Sequence, residues 1–92
     1  MEEEYKKILK REGFNHVYEW HDKANQKYEE HAHKGKVSIF ITGGSITFNL
    51  DGKEYMFQKG ERFNVPIGRP HIAIIGPSGC SYVIGEMVKG DT

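Results

Sequence analysis

The sequence predicts an all-β protein, an antiparallel sandwich or barrel preceded by one short α-helix. Two observations carry this prediction. After Gly13 the hydrophobic pattern changes from a helical period to a period of two. Short strand-like segments then recur about every 8–12 residues, with turn residues between them. The chain has 92 residues and 11 glycines, so we expect one core and many turns.

The N-terminal residues 2–12 are predicted to form the helix. Tyr5, Ile8 and Leu9 fall on one face at helical spacing, and Gly13 is placed to end the helix. We therefore divide the chain into a helix over residues 1–13, packed on the barrel, and a single barrel domain over residues 14–92.

The predicted strands follow in order and are separated by turn signals. Asp51-Gly52 is the strongest hairpin signal, and Gly43-Gly44 is a second one. Polar or glycine- and proline-containing turns are expected at 22–25, 34–35, 59–60, 66–68 and 76–79. The strands are expected at 14–20, 26–33, 37–41, 45–50, 53–57, 62–65, 71–75 and 81–88.

Composition narrows the classes of partner and compartment. Lysine plus arginine and aspartate plus glutamate number 13 each, so the charge gives no reason to expect nucleic acid or an anionic membrane as partner. The longest apolar run, 72–75, is too short to span a bilayer, and the acidic residues 2–4 are unlike a signal peptide. The single cysteine, Cys80, suits a reducing cytoplasm, and we interpret it as a small buried residue rather than a nucleophile.

Two histidines, His31 and His33, stand two positions apart in a predicted strand. Alternate strand residues point to the same face, so this spacing offers two imidazoles to one point in space. Taken alone, the pair is more typical of a solvated strand face than of a metal site. The interpretation depends on a third ligand further along the chain.

The third histidine is His71, which follows Gly60, Pro66 and Gly68. This spacing resembles the second sequence motif of the cupin superfamily: Gly, five residues, Pro, one residue, Gly, two residues, His. The rigid corner made by Pro66 and Gly68 is expected to place His71 at the start of the next strand.

The first cupin motif is matched only in part. His31, His33 and Gly44 fit it, but in that register the position of its glutamate is occupied by Val37. The second motif also usually ends in asparagine, where this chain has Ile75. The resemblance covers about residues 26–88.

The resemblance implies an antiparallel jelly-roll β-barrel with a metal held by His31, His33 and His71. Imidazole ligands suit Zn, Fe, Ni and Cu alike, so the divalent transition metal, which we expect to be Fe, Ni, Zn, Cu or Mn, is not identified. We hypothesise a small-molecule-binding cupin, an oxygenase or Lewis-acid enzyme acting on a small anionic or enolisable substrate. The alternatives are a non-catalytic ligand-binding or sensing module, with or without metal, and a dimeric scaffold without a site.

Two further expectations concern the cavity. Glu29 has the strand parity of His31, which makes it a weak candidate for a catalytic base or fourth ligand, although an exposed position at the rim is the commoner outcome. The apolar wall is expected to include Phe40, Phe48, Val37 and Ile75.

The remaining singled-out residues have plainer interpretations. His16 and His21 lie outside both motifs and are expected to be exposed. Tyr18 and Trp20 are expected in the core or an interface, and Arg69 is expected in a surface salt bridge.

An apolar outer face is predicted on the strand that carries His71. His71 faces the cavity in this interpretation, so Ile72 and Ile74 face outward and require cover. The helix or a second subunit would supply that cover, and we expect a homodimer.

Overall fold

The computed structural model describes residues 1–32 and 35–87 and contains one helix and six strands in that part of the chain. The elements are α1 (Glu2–Arg11), β1 (His16–Asp22), β2 (Lys27–His31), β3 (Val37–Leu50), β4 (Lys53–Gln58), β5 (Arg62–Val65) and β6 (His71–Glu86). All strand pairs are antiparallel, which confirms the predicted fold class.

The strands form one sheet that bends back on itself into two layers. The long strands β3 and β6 pair with each other along their lengths and contribute to both layers. In the first layer, the N-terminal half of β6 pairs with β2, and the C-terminal half of β3 pairs with β4. In the second layer, the other halves pair with β1 and β5. The inward residues of both layers form the main core.

The bends lie where β3 and β6 cross at Gly44 and Gly79. A Cβ atom on Gly44 would lie only 1.9 Å from the carbonyl oxygen of Gly79, and Gly44 has a φ of 70°. The prediction of a hairpin at Gly43-Gly44 is therefore wrong, because the glycine pair is a bend inside β3. The segment 76–79 is likewise part of β6 rather than a break between two strands.

These bends also invert the strand alternation. Val37, Ile39 and Ile41 face the core before the bend in β3, whereas Ile46, Phe48 and Leu50 face it afterwards. The register with β6 shifts twice between Ile41 and Ile46. Such shifts are the signature of β-bulges, which bend a strand and re-aim its side chains.

The predicted Asp51-Gly52 hairpin and the predicted termination of the helix are both confirmed. Leu50 pairs with Lys53 across the Asp51-Gly52 hairpin, where both turn residues have positive φ. Gly13 terminates the helix as predicted, because it follows the C-cap Glu12 with a positive φ of 100°. The amide of Gly13 donates to the Lys10 carbonyl and that of Phe14 donates to the Leu9 carbonyl, the paired bonds of a Schellman motif.

Helix α1 packs on the outer side of the second layer. Leu9 is fully buried against Phe14, Phe40 and Val83, and the ring of Tyr5 stacks on Phe40 with centroids 4.2 Å apart. Phe40 therefore lies under the helix and not in the cavity wall, because strand alternation puts it on the face opposite Val37. Ile74 remains 46% exposed, outside the cluster that the helix covers.

We predict that Gly44→Ala lowers the free energy of unfolding by at least ~3 kcal/mol or prevents folding, because it combines left-handed strain with a backbone clash. Gly68→Ala is the matched control. Gly68 has nearly the same φ, 71°, but a Cβ atom there would meet nothing within 4 Å. Gly68→Ala should lower the free energy of unfolding by only about 1 kcal/mol. Urea denaturation measures both, and equal losses would contradict the proposed crossing constraint.

Candidate functional site

A cavity of about 270 Å³ lies between the two layers of the barrel. Its volume is just below the ~300–1,000 Å³ usual for ligand pockets, so it suits a small molecule. Val37 and Phe48 belong to the apolar wall as predicted, whereas Ile75 is buried in the core around it. The apolar wall consists of Val37, Ile39, Ile46, Phe48, Val65, Ala73 and Ile84, and the polar and aromatic groups are Tyr18, Trp20, Tyr28, His71, Tyr82 and Glu86.

His71 lines this cavity and is only 2% exposed. It is the first residue of β6, the position expected from the Pro66-Gly68 corner. Its ring lies edge-on to Phe48, with centroids 5.8 Å apart. Its Nδ1 lies 3.3 Å from the Arg69 carbonyl oxygen. A carbonyl only accepts, so Nδ1 is the donor, and in the neutral ring the lone pair is then on Nε2.

The other two predicted ligands are His31 and His33. The backbone register places His31 directly across from His71 on the neighbouring strand. His33 lies outside the described residues. Within 1–32 and 35–87, the structure contains no group of three His, Cys, Asp or Glu side chains arranged to hold a metal ion. The three-histidine site thus stays a prediction.

Glu29 does not line the cavity, so the weak catalytic candidate is not supported, and its exposed position is the commoner outcome that was expected for it. Its side chain is 84% exposed, and its carboxylate lies 4.0 Å from the ammonium of Lys27. The register between β2 and β6 shifts between Tyr28 and His31, so the parity argument fails at this point. Tyr28 lines the cavity instead.

A buried carboxylate, Asp22, organises the aromatic part of the cavity. It is 2% exposed and accepts three hydrogen bonds from side chains. Trp20 Nε1 and the Tyr28 hydroxyl donate to Oδ1, the former at 2.9 Å, and the Tyr82 hydroxyl donates to Oδ2 at 2.8 Å. Tyr28 belongs to the first layer, and Trp20 and Tyr82 belong to the second. Asp22 therefore ties the two layers together beside the bend.

The surroundings of the phenols keep them protonated. Burial raises the pKa of Tyr82, and the carboxylate of Asp22 raises it further. The same two causes raise the pKa of Tyr28. Burial together with the neighbouring Glu86 raises the pKa of Tyr18 to about 12. None of these hydroxyls gains or loses a proton near neutral pH, so they serve as fixed hydrogen-bonding groups.

Glu86, the last residue of β6, places a carboxylate on the cavity wall. Its side chain is 27% exposed, and its Oε2 accepts a hydrogen bond of 3.1 Å from the Tyr18 hydroxyl. Its Oε1 lies 4.0 Å from Nε2 of His16. Its direct partner on β3 is Val37. Among the described lining residues there is no lysine or arginine to pair with Glu86.

The remaining sequence candidates lie mostly as expected. His16 and His21 are exposed, and Nδ1 of His21 is 2.7 Å from the Ser81 hydroxyl. Cys80 is buried, and burial raises the pKa of its thiol to about 11, which fits a packing role. Arg69 forms a surface ion pair with Asp51.

Sequence reasoning missed the polar half of the cavity. Tyr18 and Trp20 were expected in the core or an interface, yet both line the cavity. Asp22 was assigned to a turn, although its alternation with Tyr18 and Trp20 on β1 already placed it on their face. Glu86 carries the same signal, because it alternates with Tyr82 on β6. No sequence signal marked Tyr28, because the bulge in β2 is invisible in the pattern.

The two layers of the antiparallel barrel enclose a small, partly polar cavity. The structural neighbours show that this is the cupin fold. No family model matches the sequence, and no curated protein matches it.

Three solved structures illustrate the likeness. The polyketide cyclase RemF from Streptomyces resistomycificus superposes with a TM-score of 0.67 at 23% identity, over 82% of this chain and 56% of its own. An RmlC-like cupin from Shewanella frigidimarina gives 0.67 at 21% identity, over 82% and 68%. The DMSP lyase DddQ from Ruegeria pomeroyi gives 0.70 at 21% identity, over 83% and 39%. This chain thus spans little more than half of the cyclase and less than half of the lyase.

The structure also bears on membrane insertion. Within the described ranges, no helix has the length and apolar character needed to cross a bilayer.

We predict that Asp22→Asn lowers the free energy of unfolding by about 2 kcal/mol, because an amide nitrogen would face a hydroxyl or indole donor and the charge-assisted bonds would be lost. Asp51→Asn is the control. Asp51 is exposed in the hairpin with a φ of 52°, which asparagine tolerates. Asp51→Asn should therefore lower the free energy of unfolding by no more than about 0.5 kcal/mol. Urea denaturation measures both, and an unchanged Asp22→Asn midpoint would refute the anchoring role.

Proposed function

We propose that this protein is a small-molecule-binding metallo-cupin whose divalent transition metal is held by His31, His33 and His71. The observation that supports this most strongly is the register of β2 and β6. It sets His31 directly across from a histidine that is buried in the cavity wall. Directly opposed residues of an antiparallel pair lie about 4.5–5.5 Å apart at Cβ, which is close enough to share one ion.

The surroundings of His71 suit a ligand. Its Nδ1 donates to the Arg69 carbonyl, which orients the ring and puts the lone pair of the neutral imidazole on Nε2. Metal-bound histidines usually have such a partner on the second nitrogen. One carboxylate, Glu86, lines the cavity without a lysine or arginine among the described lining residues, which favours a bound cation.

The chemistry follows from the ligand set. Three neutral imidazoles would hold the metal without neutralising its charge, and the bound metal would supply a Lewis acid or, if redox-active, a centre for O₂ activation. The apolar wall excludes water around the ligand. The tyrosine hydroxyls donate their protons to Asp22 and Glu86, so toward a ligand they act as hydrogen-bond acceptors. A small anionic or enolisable molecule with donor oxygens is the substrate class that we propose. The neighbours include proteins named as a cyclase and a lyase, which is compatible with such chemistry.

We expect purified, untagged protein to contain close to one divalent transition metal per chain, measured by inductively coupled plasma mass spectrometry. His71→Ala should reduce the metal content at least tenfold, because it removes a buried ligand. His21→Ala is the matched control, since His21 is exposed and bonded to Ser81, and it should leave the metal content unchanged. A metal-free wild type, after expression in metal-supplemented medium, would refute the metallo-cupin.

A non-catalytic ligand-binding or sensing module is the second candidate. It is favoured by the raised pKa values of Tyr18, Tyr28 and Tyr82, which keep these groups from acting as bases at neutral pH. A ligand that raises the melting temperature without being converted would support the sensor. Turnover of any candidate substrate by the metal-loaded protein would support the enzyme.

We further propose a homodimer in the cytoplasm. The outer face of the first layer carries Met56, Thr47 and Ile74 side by side in register, with Met56 63% and Ile74 46% exposed. This apolar surface lies outside the cluster formed by the helix. The single buried thiol, Cys80, fits a reducing compartment.

Light scattering at micromolar concentration should give a mass near twice the 10.6 kDa of one chain. Ile74→Glu should yield the monomer, because it places a charge within the apolar surface. Ile67→Glu is the control at an isoleucine that is also exposed but lies in the corner before β6. A wild-type mass of one chain would exclude the dimer at that concentration.

A further inference from the structure

The position of Glu86 in the register carries an inference that rests on the proposed metal site. Val37 begins β3 on the cavity wall, and Glu86 lies directly opposite it on β6. Cross-strand partners share one face of the sheet. Glu86 therefore places a carboxylate on the cavity wall beside Val37, whose own side chain is apolar.

Glu86 and His71 face the same cavity from the two layers. His71 begins β6 and Glu86 ends it. The bend at 76–79 folds the strand back, so both residues line the same cavity. Their partners on β3 are its two terminal residues, Val37 for Glu86 and Leu50 for His71. The bend thus brings together two potential ligands that are 15 positions apart in the sequence.

The hydrogen bonds of Glu86 suit a metal ligand. The Tyr18 hydroxyl donates to Oε2, and the raised pKa of Tyr18, about 12, keeps that proton in place. A bound carboxylate is usually fixed by an outer hydrogen bond of this kind. Among the described residues, Oε1 has the distant contact of 4.0 Å with Nε2 of His16, so this oxygen keeps lone-pair capacity for a metal ion.

Electrostatics favours the same assignment. Three neutral imidazoles leave a divalent ion with its full charge inside a largely apolar cavity, which is costly. A carboxylate in the ligand set halves that charge, and the described lining offers no lysine or arginine to compete for it. We propose that Glu86 supplies the carboxylate ligand of the metal site from β6, with Tyr18 as its positioning residue.

Cobalt(II) provides the test, because its visible absorption reports the ligand set independently of activity. Wild-type protein stripped with a chelator and reloaded with Co²⁺ is compared with Glu86→Gln, Tyr18→Phe and the control Glu19→Gln. Glu19 lies on β1, and its exposed carboxylate pairs with Lys6. Thermal unfolding confirms that each variant folds.

Glu86→Gln should weaken Co²⁺ binding at least tenfold and change the position or intensity of the visible bands. Tyr18→Phe should weaken binding without that spectral change, and Glu19→Gln should alter neither. Identical spectra for wild type and Glu86→Gln would overturn the assignment while leaving the histidine site intact. Failure of the wild type to bind Co²⁺ would overturn the proposed function itself, and the ligand role of Glu86 with it.

Discussion

The close crossing of β3 and β6 at Gly44 and Gly79 is the constraint on which the rest of the structure depends. Without side chains there, the two backbones approach within a distance that a Cβ atom would not permit. Each long strand can therefore bend and serve both layers. The bend encloses the cavity, sets the inward alternation on either side and brings the two ends of β6 to one space. The site is a consequence of this crossing as much as of its own side chains.

Asp22 connects the two layers that the bend separates. A folded-over sheet needs a connection between its layers, and here a buried carboxylate accepts hydrogen bonds from both of them. The charge is tolerable because indole and phenol donors surround it. Within the described part of the chain, no buried side-chain nitrogen or oxygen lacks a hydrogen-bond partner. The aromatic groups of the cavity are thus held by the same contacts that hold the fold together.

The chemistry of the cavity is asymmetric. The first layer contributes His71 and Tyr28, and the second contributes Tyr18, Trp20 and Glu86. Burial and the neighbouring carboxylates raise the pKa of these tyrosines, so their hydroxyls stay protonated at neutral pH. The likeness to solved cupins establishes the fold alone. Any particular activity has to come from the side chains of this chain.

The sequence by itself determined the antiparallel β architecture, the helix and its end at Gly13, and the place of His71 at the start of a strand. Those features depend on local period and turn chemistry, which neighbouring residues specify. The tertiary structure decided the rest. It made Gly43-Gly44 a bend rather than a hairpin, placed Tyr28 instead of Glu29 in the cavity, and set Glu86 beside Val37. Bulges and long-range register decide these outcomes, and neither leaves a trace in the local pattern.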